Sequence, residues 1–339
     1  MSHGSASSAV VGASTVAGVG STGPASPARQ RVARGARRSA ADFWVWLLVS
    51  AAQRAPRFAR AVKPAFVWCA WVFSPYLRKT TRANAKWLLS PGASGHARDA
   101  FGRQVIASFY DFVCEIGVGR DRPWPELLKQ IECVEGVAAY RQVRASKRGA
   151  IIITAHLGSF ETGVAGLRSM EPNVHVVFQR DRLAVFEELR SRLHSHLGVH
   201  EAPVEAGLDG WFRLRDALRS DHVVLMQADR VMPGQSGVRV PFLGGHMELP
   251  AGPVKLAMAS GSPIIPAFAI RQRDGRSRVV IGKPIEVRDS CERDLAEHPA
   301  MLEVVTVLET YIKMYPTQWL AVHPAWCEDA QSPAEGVQA

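Results

Sequence analysis

Cysteine is scarce. The 339 residues include five, Cys69, Cys114, Cys133, Cys291 and Cys327, and no C-x-x-C pair. An odd number without metal or redox spacing argues against a disulfide framework or a zinc ribbon. It fits reduced, mostly buried thiols in a cytosolic compartment. Long apolar runs are lacking too. Phe43–Ala52 is cut off by Gln53-Arg54, and Ala65–Phe73 is soon followed by Arg78-Lys79. Both fall well short of the roughly 20 apolar residues that a membrane span needs. Residues 1–28 have neither the basic start nor the solid apolar core of a signal peptide. No internal repeat, zinc-finger spacing or RNP-type motif is present.

Acidic residues are nearly missing from the first third. Residues 1–110 hold 15 Lys/Arg against 2 Asp/Glu, a net of +13, so the remainder carries about −3 of the +10 total. The basic residues alternate with Phe43, Trp44, Trp46, Phe58, Phe66, Trp68, Trp71, Phe73 and Trp87. Nucleic acid and an anionic membrane both fit a basic segment. The interleaved aromatics favour the membrane, because interfacial helices carry Lys/Arg on one face and Trp/Phe on the other. The expectation is a protein that lies on a membrane without crossing it, and no nucleic-acid partner.

What is present is ample core material, 47% hydrophobic residues, enough for one large domain or two small ones. Residues 1–40 are rich in Ala, Gly, Ser and Val and end in an arginine cluster; the composition predicts a disordered tail. Residues 331–339 read the same way. Residues 41–120 read as an N-terminal helical, membrane-associating region punctuated by Pro56, Pro64 and Pro75, with a loop at Pro91-Gly92. Residues 121–330 read as an α/β domain. Within it, 121–148 is a connection plus a short helix. From Ala150 strands alternate with helices, with a turn at Gly244-Gly245 and on toward Pro250, and a final helix over Glu292–Tyr315. That alternation predicts a sheet covered on both faces.

One stretch carries the chemistry: Ile151-Ile-Ile-Thr-Ala-His156-Leu-Gly-Ser-Phe-Glu161. On a continuous helix, residues five apart lie about 140° apart around the axis and do not meet. They can meet if His156 leaves a strand end, Leu157-Gly158 turns, and a helix begins near Ser159, a good N-cap. Glu161 then lies in the first turn, within reach of the imidazole. A carboxylate on one ring nitrogen would leave the other free as a base. The same residues also suit a structural histidine and a glutamate placed for the helix dipole. No G-x-S-x-G motif is present. His194 and His196 are close in sequence, but no carboxylate–histidine set has metal-ligand spacing.

Thr154-Ala-His156-Leu-Gly-Ser-Phe-Glu161 resembles the H-x4-D/E block of the glycerolipid acyltransferase superfamily. The likeness is nearest to the lipid A biosynthesis lauroyl/myristoyl acyltransferases and the related phosphatidylinositol mannoside acyltransferases. Further blocks follow in order. They are Arg82-Ala-Asn84; Gln227-Ala-Asp229-Arg230 with Gly237-Val-Arg-Val-Pro-Phe242; Leu249-Pro-Ala-Gly252-Pro; Gly261-Ser-Pro-Ile-Ile-Pro266; and Tyr315-Pro-Thr-Gln318-Trp319. The resemblance covers roughly residues 41–327. It implies a glycerol-3-phosphate-acyltransferase-like α/β fold, a central sheet flanked by helices. It implies an O-acyltransferase peripheral to the cytoplasmic face of the inner membrane. Acyl carrier protein or acyl-coenzyme A would give the acyl chain to a glycolipid, with no other cofactor and no metal.

Carried over, His156 is the general base and Glu161 its orienting carboxylate. Backbone N–H groups near Gly158, or a cation, would meet the oxyanion. Arg180 would handle phosphate or head-group oxygens, and Asp229 and Arg230 would line the same cleft. Leu249–Pro253 and Ile264–Phe268 would shape the acyl pocket. The chain departs from the pattern at Ala155, where the wider superfamily has Asn, and at Met247-Glu248. Its tail 1–40 has no counterpart, and its N-terminal apolar segment is weaker than a typical anchor. A lysophospholipid acceptor, and a non-catalytic membrane-surface protein, are the competing readings.

Overall fold

The computed structural model describes residues 40–327, save 120, 123, 181, 182, 233, 289–291 and 293. The predicted tails at 1–40 and 331–339 therefore lie outside the described residues, except Ala40, which is helical. Four helices come first: α1 (Ala40–Arg54), α2 (Pro56–Phe73), α3 (Pro75–Leu88) and α4 (Gly95–Gly119). Pro56 and Pro75 stand at the first positions of their helices, where a missing N–H costs nothing. Pro64 does not break α2, contrary to its expected role as a punctuation mark. It removes one hydrogen bond from a helix held elsewhere on α4, by Tyr110 Oη donating to the Ala59 carbonyl and by the Lys63–Asp111 ion pair.

Then follow α5 (Trp124–Leu128), β1 (Ile131–Glu135), α6 (Val137–Arg144), β2 (Ala150–Thr154), α7 (Phe160–Met170), β3 (Val174–Phe178), α8 (Ala184–Leu197) and β4 (His200–Pro203). The chain continues with α9 (Gly207–Arg219), β5 (Val223–Gln227), β6 (Gly237–Phe242), β7 (Gly245–Pro250), α10 (Gly252–Ser260), β8 (Ile264–Arg271), β9 (Ser277–Ile281) and α11 (Pro299–Met314).

Seven strands form one sheet in the order β1-β9-β8-β2-β5-β3-β4. The neighbours from β8 through β4 are parallel, and β9 runs antiparallel to β8 with β1 parallel to it. Every residue of β2, Ala-Ile-Ile-Ile-Thr, is buried, as a central parallel strand covered on both faces requires. Ile151 and Ile153 face one core with α10 and α11; Ile152 faces the other with α7. The α/β expectation holds in this form: a central, mostly parallel sheet flanked by helices. The N-terminal helices and the sheet belong to one compact unit.

Two expectations need correction. Residues 245–250 are not a turn but β7, paired antiparallel with β6 from Gly237↔Pro250 to Phe242↔Gly245. The turn is Leu243-Gly244, both at positive φ (47° and 82°), the pairing of a tight two-residue hairpin. The final helix starts at Pro299, with His298 as its N-cap, not at Glu292.

Candidate active site

His156 stands two residues past the end of β2, and its position is fixed by a turn whose backbone donors are taken. Leu157 N–H donates to Ala155 O (2.7 Å), Gly158 N–H to Gln318 O (3.1 Å) and Ser159 N–H to Ala269 O (2.8 Å). Leu320 N–H donates to the His156 carbonyl at 2.7 Å. Gly158 has φ +66°, and a Cβ there would meet Ala269 O at 2.1 Å. The turn therefore demands glycine. It also corrects an expectation: the Gly158 N–H is spent inside the fold and is no oxyanion donor.

The carboxylate beside His156 is Asp229. In-register pairing of β2 with β5 matches Thr154 with Gln227, so the residues two positions on stand side by side. His156 Nδ1 lies 2.9 Å from Asp229 Oδ1, and the His156 backbone N–H donates to the same oxygen at 3.2 Å. Trp319 Nε1–H donates to Asp229 Oδ2 at 2.7 Å. Asp229 is fully enclosed. Burial alone would raise its pKa, but the His156 charge, the bonds from His156 and Trp319, and the nearby Arg230 hold it well below the usual carboxylate range. An ionised Asp229 accepts from Nδ1–H and leaves the His156 Nε2 lone pair free.

Arg230 stands at that nitrogen. Its Nη2 is 3.5 Å from His156 Nε2 and its Nη1 is 3.4 Å from His323 Nδ1. Burial, aided by the Arg230 charge, pushes His323 down to about 4, so at neutral pH it offers Arg230 a neutral ring. Among the described residues Arg230 forms no ion pair with a carboxylate at bonding distance, and its Nε is buried without a hydrogen-bond partner.

Glu161 was expected on His156. The structure turns it instead toward His194, with Oε2 3.6 Å from Nε2, and among the described residues it makes no hydrogen bond or ion pair with His156. The first turn of α7 points this side chain across to α8, away from the imidazole. His194 is also held by Glu201 at 3.2 Å. Burial would lower its pKa, but hydrogen bonding to Glu161 and Glu201 and the Glu161 charge raise it to about 9. Arg180 is exposed just past the end of β3, its backbone N–H on Glu205, and it is not among the residues that line the cavity described below. Among the described residues no cluster of His, Cys, Asp or Glu could hold a metal ion.

His156 and Arg230 open onto a cavity of about 410 Å³ between one sheet face, α7 and α4. Phe109, Phe112, Ile152, Val164, Leu167 and Met170 give it an apolar wall. Sequence reasoning placed Asp229 and Arg230 in the cleft without their roles and missed His323 and the use of Trp319. Two residues past the end of a parallel neighbour of β2 was the available signal, but strand order is not written in the chain.

The characteristic pattern of the bacterial lipid A biosynthesis acyltransferases matches residues 36–328. This chain belongs to that family. Among similar proteins, it is 28% identical over 204 residues to the lipid A biosynthesis lauroyltransferase of Escherichia coli, covering 59% of this chain and 63% of that protein. It is 24% identical over 185 residues to the phosphatidylinositol mannoside acyltransferase of Mycolicibacterium smegmatis, covering 54% and 58%. A 25% match over 190 residues to the enzyme of the same name in Mycobacterium tuberculosis covers 55% and 57%. The chain thus spans less than two thirds of the length of these relatives.

Proposed function

We propose that this protein is an O-acyltransferase that moves a fatty acyl chain from a thioester to a hydroxyl of a glycolipid. The observation that carries the reading is the Trp319–Asp229–His156 chain of hydrogen bonds ending at an apolar cavity. His156 Nε2 takes the proton of the acceptor hydroxyl as its oxygen attacks the thioester carbonyl. Asp229 fixes the tautomer and stabilises the imidazolium that forms. The tetrahedral intermediate puts negative charge on the former carbonyl oxygen. With the Gly158 turn closed, the cation at hand is Arg230, and its guanidinium meets that charge. Collapse breaks the C–S bond, and the leaving thiolate takes the proton held by His156. No acyl-enzyme is needed. The acyl chain occupies the cavity. Acyl carrier protein and acyl-coenzyme A both supply the required thioester.

The glycolipid acceptor rests on the family and on the relatives' names; a lysophospholipid would meet the same chemistry. In this reading the protein works at the cytoplasmic face of a membrane. No described helix is long and apolar enough to span one. Phe58, Trp68, Phe73 and Tyr76 stand out from α2 and α3 beside Arg57, Arg60, Arg78 and Lys79, a surface suited to an anionic bilayer.

The test is transfer from radiolabelled acyl-coenzyme A and acyl carrier protein into host lipids by wild type, His156→Ala and Asp229→Asn. A labelled lipid that vanishes with His156→Ala and drops by roughly 10²–10⁴-fold with Asp229→Asn is the expected result. Undiminished transfer by folded His156→Ala would overturn the mechanism.

A further inference from the structure

An arginine in a protein interior is ordinarily fixed by a carboxylate, which takes its N–H groups pairwise and cancels its charge. Arg230 is fixed otherwise. Its Nη2 lies 3.5 Å from His156 Nε2 and its Nη1 3.4 Å from His323 Nδ1. A guanidinium only donates, so each of these ring nitrogens carries a lone pair and not a proton. For His156 this agrees with Nδ1–H donating to Asp229. For His323 it puts the proton on Nε2. Asp229 is the next residue in the chain, but its oxygens are engaged by His156 and Trp319. Among the described residues no carboxylate forms an ion pair with Arg230. The guanidinium therefore keeps its full charge and has donors to spare.

His323 stands outside the cavity. Arg230, Leu320 and Val322 line it, and His323 does not. Its place is set by its backbone, not by its ring. The Asn84 amide donates to the carbonyls of Ala321 (3.0 Å) and His323 (2.9 Å), and its oxygen accepts from Ala325 N–H (3.2 Å). The ring is set against Arg230, where burial first, then the Arg230 charge, keep it neutral against the opposing pull of Asp229.

We infer that His323 is a positioning residue that holds Arg230 beside His156 without neutralising it, so that the guanidinium charge is kept for the oxyanion. This rests on the acyl-transfer reading above. A carboxylate at position 323 would hold Arg230 more firmly, but it would cancel the charge that the tetrahedral intermediate calls for. An apolar side chain there would leave the charge and lose its direction. A neutral acceptor supplies direction and spares the charge.

Three replacements in the full-length protein separate these cases. His323→Gln offers a neutral acceptor, His323→Glu a charged one and His323→Phe none. Transfer is measured from acyl-coenzyme A and acyl carrier protein donors into total host lipid. His323→Gln is expected to keep kcat within about threefold of wild type. His323→Glu and His323→Phe are expected to lower kcat by roughly 10²-fold with the donor KM unchanged, the size of loss when one oxyanion donor goes. In an Arg230→Gln background His323→Phe should add little, because it acts through the arginine. Arginine-selective nitrogen NMR gives a readout without turnover. Arg230 Nε–H is buried without a hydrogen-bond partner. It should exchange slowly with water in wild type, His323→Gln and His323→Glu, and fast in His323→Phe; Arg230→Gln identifies its signal. Equal kcat in the three variants overturns the inference. So does a His323→Phe loss of the same size with and without Arg230, or exchange at Arg230 that His323→Phe leaves unchanged. If His323→Phe does not fold, Gln against Glu, alike in size and different in charge, decides: equal kcat in that pair overturns the inference. If wild type transfers from no donor while exchange follows the expected pattern, the positioning stands and the acyl-transfer reading falls.

Discussion

Asp229 is held by donors that the chain delivers from two remote places, His156 after β2 and Trp319 after α11. Trp319 is 1% exposed and packs edge-on to Trp326, so its indole N–H is locked on the carboxylate. Trp319→Phe keeps most of the packing and removes one hydrogen bond to a buried charge, a loss of about 1.5–3 kcal/mol. The expected outcome is a lower urea midpoint and a lower kcat with the donor KM unchanged; a kcat equal to wild type would separate Trp319 from the catalytic geometry. His194 predicts a pH effect. Its folded value of about 9 lies above its ordinary 6.5. The stability it contributes is therefore fully present below about pH 6.5 and is lost as pH rises through about 9. At roughly 1.4 kcal/mol per unit this is on the order of 3 kcal/mol. Urea melts between pH 6 and 10 should show the decline in wild type and a flatter curve in His194→Gln.

At the scale of elements, the β2–α7 turn is the point where fold and chemistry cannot be separated. Gly158→Ala puts a Cβ 2.1 Å from a backbone oxygen at a positive φ. A cost of about 2 kcal/mol or more follows, with His156 displaced. The expected outcome is a lowered melting temperature and transfer reduced more than stability alone explains, checked by calorimetry beside the activity assay. Next to this turn α4 is latched to the α/β region. Glu115 accepts from Thr162 Oγ1 at 2.5 Å and from Arg271 at 2.7 Å, and Arg271 N–H donates to Gln318 Oε1. The cavity roof and the turn thus share one polar network. The start of α7 was readable from Ser159, yet Ser159 makes no side-chain cap bond; its backbone N–H is what anchors the helix to β8. Edge strand β1 went unread because its five residues, Ile-Glu-Cys-Val-Glu, are half polar and gain their pairing only from β9.

For the whole molecule, the question is how a catalytic cleft meets a lipid. The helices before residue 90 hold the exposed Phe58, Trp68 and Phe73, and the C-terminal block is pinned to them by Asn84. Its amide donates to Ala321 O (3.0 Å) and His323 O (2.9 Å), and its carbonyl accepts from Ala325 N–H (3.2 Å). The surface proposed to meet lipid is therefore joined by these hydrogen bonds to the segment that carries Trp319 and His323. Sedimentation with vesicles containing anionic lipid is expected to show binding that weakens with salt, by roughly 1 kcal/mol for each basic residue at the surface. Combined replacement of Phe58, Trp68 and Phe73 by Ser should weaken binding without lowering the melting temperature. Equal binding to neutral and anionic vesicles would argue against the electrostatic part.

The chain by itself determined the α/β alternation, the buried strand before His156, the basic aromatic helices and the family. Each of these is written in local order: hydrophobic period, turn glycines, charge along a segment, short motifs in sequence. Which carboxylate serves His156 was beyond that order. Glu161 is five residues away and turns to His194; Asp229 is 73 residues away and arrives by parallel pairing of two strands. Only the tertiary structure settles such a choice, because hydrogen bonds depend on distances of about 3 Å that are set by strand order and helix direction.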